Sequence, residues 1–390
     1  MEPLQLAVVS MEYGFEGGAE KFVWEITERI SHIPWIRVHL LASRWKEVGP
    51  QIVCHKVPLV RLNRYTTRLS FCWNAYNLIQ KANFDLVHSH DLVMNSDVIT
   101  FGVPHLFWVK EIQKKRTLSL YNRLMCFLEK KTLYSRNLSW ILPNSTRAQK
   151  AFERYYPDLI SKVKVLKPGV APERFMGMDD KEKCRKKILD QFGWNDSDLI
   201  GIFVGNNWRL KGLLQICHGI AEAKRWGMTV NLLVLGRGNP DEIRLFLKSK
   251  GIENQVGFIG LISEGIEQFY KAADFLILLS QFESFGMVVL EAMASALPVI
   301  LSADVGAWDV AKEGENALKI ENPDDPKALA AAYNQLAQPG FRRQLSYNAL
   351  ETAKKNDWQK ALNETLKVYF AVLEKKNILQ KVKGKGDWLD

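Results

Sequence analysis

The chain of 390 residues is poor in cysteine: Cys54, Cys72, Cys126, Cys184 and Cys217 are scattered, odd in number and without CxxC spacing. That excludes a disulfide framework and a cysteine-based zinc site, and it fits reduced core residues of a cytosolic protein. No window holds the ~18 uninterrupted apolar residues of a spanning helix. No basic flank precedes Leu4–Val9, so this run is expected to be a first strand and not a signal peptide. A dinucleotide fingerprint is lacking too: neither Gly14-Phe-Glu-Gly17-Gly18 nor Gly236-Arg-Gly238 has G-x-G-x-x-G form, which argues against nicotinamide chemistry. There is no repeat of solenoid length and no recognised nucleic-acid motif, so no nucleic-acid partner is expected.

What is present begins with charge. The formal net charge is +10, and residues 1–168 carry 24 Lys+Arg against 14 Asp+Glu, while residues 169–390 carry 29 of each. The whole excess lies in the N-terminal half, which implies that this half meets something anionic.

The hydrophobic pattern alternates buried strands with amphipathic helices, twice. Strands are expected at 4–9, 36–42, 52–57, 84–88, 98–101, 105–109, 139–142 and 163–166, with helices at 18–31, 67–82, 117–134 and 145–155. After Pro168-Gly169 and a polar connector, a second series has strands at 199–204, 229–235, 256–259, 274–279, 298–301 and 317–320. Its helices fall at 211–226, 240–250, 264–272, 286–295 and 326–337. A helical tail over 341–378 has a break near Asn356-Asp357-Trp358, and a basic run, Lys375–Lys385, follows. The expected class is α/β, with two doubly wound Rossmann-like domains facing across a cleft: residues 1–168 and 169–357. Clefts between domains are common seats of small ligands.

The densest information lies in Ser280-Gln-Phe-Glu283-Ser284-Phe285-Gly286-Met287-Val288-Val-Leu-Glu291, between a buried strand and a helix. Ligands of open α/β sheets bind outside the carboxyl ends of strands. The unpaired amides opening a helix attract an anion. Carboxylates such as Glu283 and Glu291 suit hydroxyls, and a nucleotide sugar has both phosphates and hydroxyls. On the loop after the first strand of the second domain, Arg209 and Lys211 offer a fork and a point charge for a diphosphate. The bland alternatives are a solvated loop for the cations, a helix cap for Glu283 and a surface pair for Glu291.

In the first half, Gly17 and Gly18 open a helix directly after strand one, where backbone could approach a phosphate. His88 and His90 share one face at a strand end, a packed pair or one cleft-lining histidine and not a metal site, since no further ligand has suitable spacing. Asp196-Ser-Asp198 precedes a strand and reads as turn chemistry, so no metal is expected. Lys110–Arg136 holds eight Lys/Arg and two Glu, with Leu120, Tyr121, Leu124, Phe127 and Leu128 at helical spacing. It is read either as a surface helix packing on its own domain or as a basic amphipathic helix on an anionic membrane. In the second reading Lys114, Lys115, Arg116, Lys130 and Lys131 make the contact.

Together these pieces resemble the retaining glycosyltransferases of family 4, of the GT-B fold. The usual E-G-F-G-x-x-x-L-E-A-M-A-x-G-x-P-V-I appears as Glu283-Ser-Phe-Gly-Met-Val-Val-Leu-Glu291-Ala-Met-Ala-Ser-Ala-Leu-Pro-Val-Ile300, with Ser284 and Ala296 in place of glycines. Gly17-Gly18-Ala-Glu20, Arg209-x-Lys211-Gly212, the Pro168–Phe175 run and Gly314–Leu318 are further marks. The resemblance implies transfer of a sugar from a nucleotide diphosphate sugar, with no cofactor or metal. Arg209 and Lys211 then hold the diphosphate and Glu291 the ribose. Glu283, Ser284 and the amides of Phe285, Gly286, Met287 and Val288 hold the sugar and α-phosphate. Leu261 and Ile262 border the base, and Gly17 and Gly18 close over the phosphates. The tail after Trp358, to about residue 380, crosses back to the N-terminal domain. Lys110 stands where many members have a histidine, leaving His90, His105 or no histidine on the catalytic side. The Gly102-x-x-His105-x-x-Trp108 form points to relatives that add sugars to the lipopolysaccharide core. The implied partners are a nucleotide sugar, a glycan or glycolipid acceptor and an anionic membrane, at the cytoplasmic membrane's inner face. An epimerase of the same fold and a non-catalytic nucleotide-sugar-binding module are the alternatives.

Overall fold

A computed structural model describes residues 2–15, 17–176, 180–262 and 264–379; most of the basic run expected at Lys375–Lys385 lies outside them. The chain divides into two compact units, residues 1–168 with 358–390, and residues 169–357.

The first unit holds β1 (Leu4–Val9), β2 (Glu12–Tyr13), β3 (Ile36–Ala42), β4 (Arg44–Trp45), β5 (Val53–Lys56), β6 (Leu86–Ser89), β7 (Val98–Thr100) and β8 (Trp140–Leu142). Six of them form a sheet in the order β5-β3-β1-β6-β7-β8, while β2 and β4 make a two-stranded ribbon. All these pairings are parallel. The helix Gly18–Ser31 follows from apolar residues three and four apart: Phe22, Val23, Ile26 and Ile30 are buried. The helix Arg64–Lys81 starts at a capping box in which the Asn63 side chain accepts the Tyr65 and Thr66 amides and Thr66 answers to the Asn63 amide.

The C-terminal helix Trp358–Lys375 belongs to this same unit. It buries Leu362, Leu366, Tyr369, Val372 and Leu373. The Tyr369 hydroxyl lies 2.7 Å from His88 Nδ1, and Lys376 Nζ reaches the buried Asp97 carboxylate at 2.7 Å.

The second unit holds β9 (Leu199–Val204), β10 (Val230–Leu235), β11 (Val256–Gly260), β12 (Phe275–Leu278), β13 (Val299–Ser302) and β14 (Ala317–Ile320), in the order β11-β10-β9-β12-β13-β14. Its strands are near-continuous apolar runs because helices cover both faces of a parallel sheet. One face packs on Met293, Leu290 and Tyr270, the other on Ile216, Ile220 and Tyr333. The helix Pro326–Ala337 starts with proline in its first turn and Asp325 accepting the Lys327 amide.

Both sheets follow the sequence-order pattern 3-2-1-4-5-6 of dinucleotide-binding folds. The expected doubly wound architecture is thus found. Two expected strands are not. Residues 105–109 form a short helix, His105–Phe107, running into a π-helical turn, Trp108–Ile112. A short apolar run has no period that separates strand from helix. Here the His105 amide donates to the Glu129 carboxylate at 2.7 Å, a bond that takes the place of sheet pairing. Residues 163–166 contribute a single bridge, Val163 to Ile141, and no strand.

Candidate functional site

In a 3-2-1-4-5-6 sheet the crevice lies where strands one and four part. In the second unit these are β9 and β12, and their following loops carry the sequence-predicted residues. The loops are tied together. The Gln281 amide donates to Leu210 O at 2.9 Å. Gly212, at φ +77°, lies so close that a Cβ would stand 2.4 Å from Leu279 O. The Lys211 stem lies directly over Gly205, where a Cβ would stand 2.4 Å from its Cδ. This packing aims Lys211, whose Nζ meets Glu283 Oε2 at 2.5 Å with both side chains one-fifth exposed.

Glu283 is held from behind. Its amide donates to Asp304 O at 3.0 Å, and its carbonyl accepts the Gly306 amide at 2.9 Å. The chain then turns at Gly286, φ +92°, into the helix Met287–Ala294. Phe285 is buried beneath the turn, with Met287 and Val288 packed against the same core. Arg209 sits on the loop with its guanidinium exposed and without a side-chain partner among the described residues. The structure therefore joins Lys211 to Glu283 and leaves Arg209 beside them on the same loop.

Glu291 lies further along the helix and is buried, and its Oε2 accepts from the Tyr270 hydroxyl at 3.0 Å. That is not the surface pair of the bland alternative, because the Glu291 carboxylate is turned into the interior. Burial, with the Glu291 carboxylate beside it, pushes the Tyr270 phenol far up and keeps it protonated as a donor. Tyr270 went unnoticed in the sequence because it reads as one more apolar position of its helix. Ser280, which heads the same motif but has no role in the sequence reading, is fully buried just after β12, and its Oγ has no partner among the described residues. Leu261 and Ile262 follow β11 at the sheet's outer edge, Leu261 half exposed and Ile262 packed on the core.

The corresponding point of the first unit lies between β1 and β6. Asp91 accepts the Met11 amide at 2.7 Å through one oxygen and Arg68 Nη1 at 2.9 Å through the other, fixing the loop that leads to Gly17 and Gly18. Gly17 has φ +143°, and the Glu20 carboxylate rests where its Cβ would be. Burial, with Glu12 and Asp91 nearby, raises the Glu20 carboxyl. The His90 ring lies 4.3 Å from that of His88, and its Nδ1 is buried without a partner among the described residues. Burial drives the His90 imidazole down to about 3, so it is neutral at physiological pH and acts only as a hydrogen-bonding group. His105 Nε2 lies 3.1 Å from Asn122 Oδ1.

Asp196 pairs with Arg185, and the Asp198 carboxylate receives the Asn195 amide and the Asn231 side chain, as in a closed turn. Among the described residues no cluster of His, Cys, Asp or Glu is placed to hold a metal ion, and no helix is long and apolar enough to cross a membrane. On the basic helix Leu120–Leu133, the apolar stripe is split. Leu128 and Met125 are in the core, Tyr121 and Leu124 pack against it, and only Leu120 and Phe127 face outward with Lys130 and Lys131. Lys114, Lys115 and Arg116, just before this helix, are also exposed.

The family description "Glycosyltransferase Family 4" matches residues 16–174 and "Glycosyl transferases group 1" matches residues 185–352. A D-inositol 3-phosphate glycosyltransferase of Acidothermus cellulolyticus is 28% identical over 219 residues, 53% of this chain and 48% of that protein. The chain spans about half the length of the first curated relatives it matches. Among solved structures, WaaG, a glycosyltransferase involved in lipopolysaccharide biosynthesis, superposes with TM-score 0.77 at 17% identity over 92% of this chain and 98% of that one. Anabaena HepE in complex with UDP-glucose does so with TM-score 0.73 at 18% identity, over 94% and 100%.

Proposed function

The chain belongs to the glycosyltransferases of the family 4 type and has the GT-B fold, and on that premise we propose that it moves a sugar from a nucleotide diphosphate sugar to a glycan or glycolipid acceptor, with retention of configuration. The observation that carries this reading is the Lys211–Glu283 pair at the parting of β9 and β12, beside the helix that opens at Gly286.

As the glycosidic bond breaks, negative charge gathers on the leaving diphosphate. Lys211, Arg209 and the amides of Met287 and Val288 are preorganised to receive it. Glu283 holds Lys211 in place and accepts a hydroxyl of the transferred sugar. Ser284 and Phe285 shape the turn that presents those amides. Glu291, fixed by Tyr270, takes the ribose, and Leu261 with Ile262 borders the base. The acceptor hydroxyl attacks from the face the leaving group departs, passing its proton to a departing phosphate oxygen. This route calls for no metal and no carboxylate base.

The acceptor we propose is of the lipopolysaccharide-core type. The enzyme then works as a peripheral protein on the inner face of the cytoplasmic membrane, with Lys114, Lys115, Arg116, Lys130 and Lys131 on anionic lipid. The excess of cations in residues 1–168 supports this. The test is a product assay over a panel of nucleotide sugars with and without acceptor. Acceptor-dependent glycoside formation is expected, and donor conversion without any acceptor would instead identify an epimerase.

A further inference from the structure

The helix Arg64–Lys81 is apolar on two sides. Phe71, Ala75 and Ile79 turn into the core. Tyr65, Leu69 and Trp73, each four apart, form a second stripe turned away from that core, while Tyr76 packs on the core beside Trp73. In this stripe Trp73 is 59% and Leu69 43% exposed, and Leu62, just before the cap, is 82% exposed. The preceding loop is strapped along this side: the Val60 amide donates to Ser70 Oγ at 2.9 Å, and Asn74 Nδ2 donates to Pro58 O at 2.9 Å. Val60, itself 48% exposed, thereby widens the stripe. An exposed apolar patch ringed by polar groups marks an interaction surface.

Charge says what covers it. No acidic residue occurs between Glu47 and Asp85, whereas Arg61, Arg64 and Arg68 do. The stripe also continues onto the basic helix Leu120–Leu133. The Tyr65 and Tyr121 rings meet edge to face at 5.5 Å, and the Arg64 guanidinium lies 4.3 Å from the Tyr121 ring centre. Beyond Tyr121 the outward residues are Leu120 and Phe127, interleaved with Lys130 and Lys131. Tryptophan, tyrosine and leucine set among cations match the interface of an anionic bilayer, where the rings enter the headgroup layer and the cations stay at lipid phosphate.

We infer that the outward face of the helix Arg64–Lys81, with Leu62, Leu69 and Trp73 as its inserting side chains, is a second membrane-docking element beside the lysine cluster. The inference deepens the membrane reading given above and adds what cations alone cannot supply. Electrostatic attraction brings the protein to an anionic surface, and burial of apolar groups holds it there against salt.

The experiment is vesicle sedimentation of the full chain with phosphatidylglycerol-containing and with purely phosphatidylcholine vesicles, at low and physiological salt. Four proteins are compared: the parent, Leu62→Ser/Leu69→Ser/Trp73→Ser, Trp73→Phe, and a variant with Lys114, Lys115, Arg116, Lys130 and Lys131 changed to Gln. The triple variant is expected to lose at least tenfold in binding to anionic vesicles at physiological salt, with unchanged thermal midpoint and unchanged turnover on soluble acceptor. Trp73→Phe is expected to bind like the parent. Loss in the triple variant with binding retained by the lysine variant supports the apolar face and removes the lysine reading. A triple variant that sediments like the parent overturns the inference, as does a parent that stays in the supernatant. A parent that is dimeric, beside a monomeric triple variant with unaltered lipid binding, also overturns it, because a second copy then covers the face.

Discussion

The two units repeat one strand order and use it differently. In the second unit, the parting of β9 and β12 brings an ammonium and a carboxylate together, with an arginine beside them and a helix start following. In the first unit, the parting of β1 and β6 is a brace: Asp91 spends its oxygens on Met11 and Arg68, and of the neighbouring histidines His88 is buried and His90 half-buried. Charge divides the same way: the second unit, residues 169–357, carries 22 Lys+Arg against 25 Asp+Glu, and the first unit carries the surplus, 31 against 18. The lesson is that a shared topology supplies a place and the loops decide its chemistry. In the proposed reading one loop set receives a small anion, while the other unit carries the exposed cations Lys114, Lys115, Arg116, Lys130 and Lys131.

The largest expected effect lies at the first of these places. Lys211→Ala should lower turnover by about 10²–10³, as loss of one preorganised donor does, with little change in thermal midpoint. Full activity would remove the contrast between the two loop sets. Arg209→Ala should also cost turnover and leave stability untouched, because its guanidinium makes no side-chain contact among the described residues.

A buried structural carboxylate of the first unit should show the opposite pattern. Asp97 accepts the Val87 amide at 2.8 Å and Lys376 at 2.7 Å, so Asp97→Ala takes the acceptor from the buried Val87 amide and the ion pair from Lys376, which keeps only Asp85 O at 2.9 Å. It should destabilise the fold by about 1–3 kcal/mol, read by denaturant unfolding, while KM for the donor stays unchanged. A shifted KM with unchanged stability would reverse the assignment of roles.

A smaller effect concerns pH. Burial pushes the Glu129 carboxyl up to about 7, where it accepts the His105 amide and the Tyr156 hydroxyl. Between its ordinary value of 4.5 and about 7 the folded state binds the extra proton. Stability from this group is therefore full below the lower value and is lost as pH rises through the upper one. Glu129→Gln should flatten that loss, appearing more stable than the parent at pH 8 and equal to it at pH 4. His90, driven down by burial, works with the other sign: the unfolded chain binds its proton first, so its contribution is lost as pH falls below about 6.5. Unfolding curves across pH for His90→Asn and Glu129→Gln separate the two.

Legibility followed local pattern. Helix Gly18–Ser31 and strands Leu4–Val9, Leu199–Val204 and Ala317–Ile320 were readable to the residue, because a glycine, proline or polar residue stands directly beyond each end of their apolar patterns. The run at 105–109 was not, since four apolar residues after Pro104-His105 carry no period and a carboxylate 24 positions away decides the outcome. Within the candidate site, Lys211 and Glu283 were legible as loop charges at strand ends. Tyr270 and Ser280 were not, because a phenol and a hydroxyl in apolar runs look like core until their partners, or lack of them, are seen. The outward stripe of Arg64–Lys81 was hidden for a related reason: with apolar groups on both sides, the helix has little periodic contrast.

The central claim is that the loops after β9 and β12 seize a diphosphate. Calorimetric titration of a nucleoside diphosphate into the parent and into Lys211→Ala tests it most directly. The account predicts binding to the parent and at least a tenfold weaker Kd for the variant; equal affinity in the two proteins would contradict it.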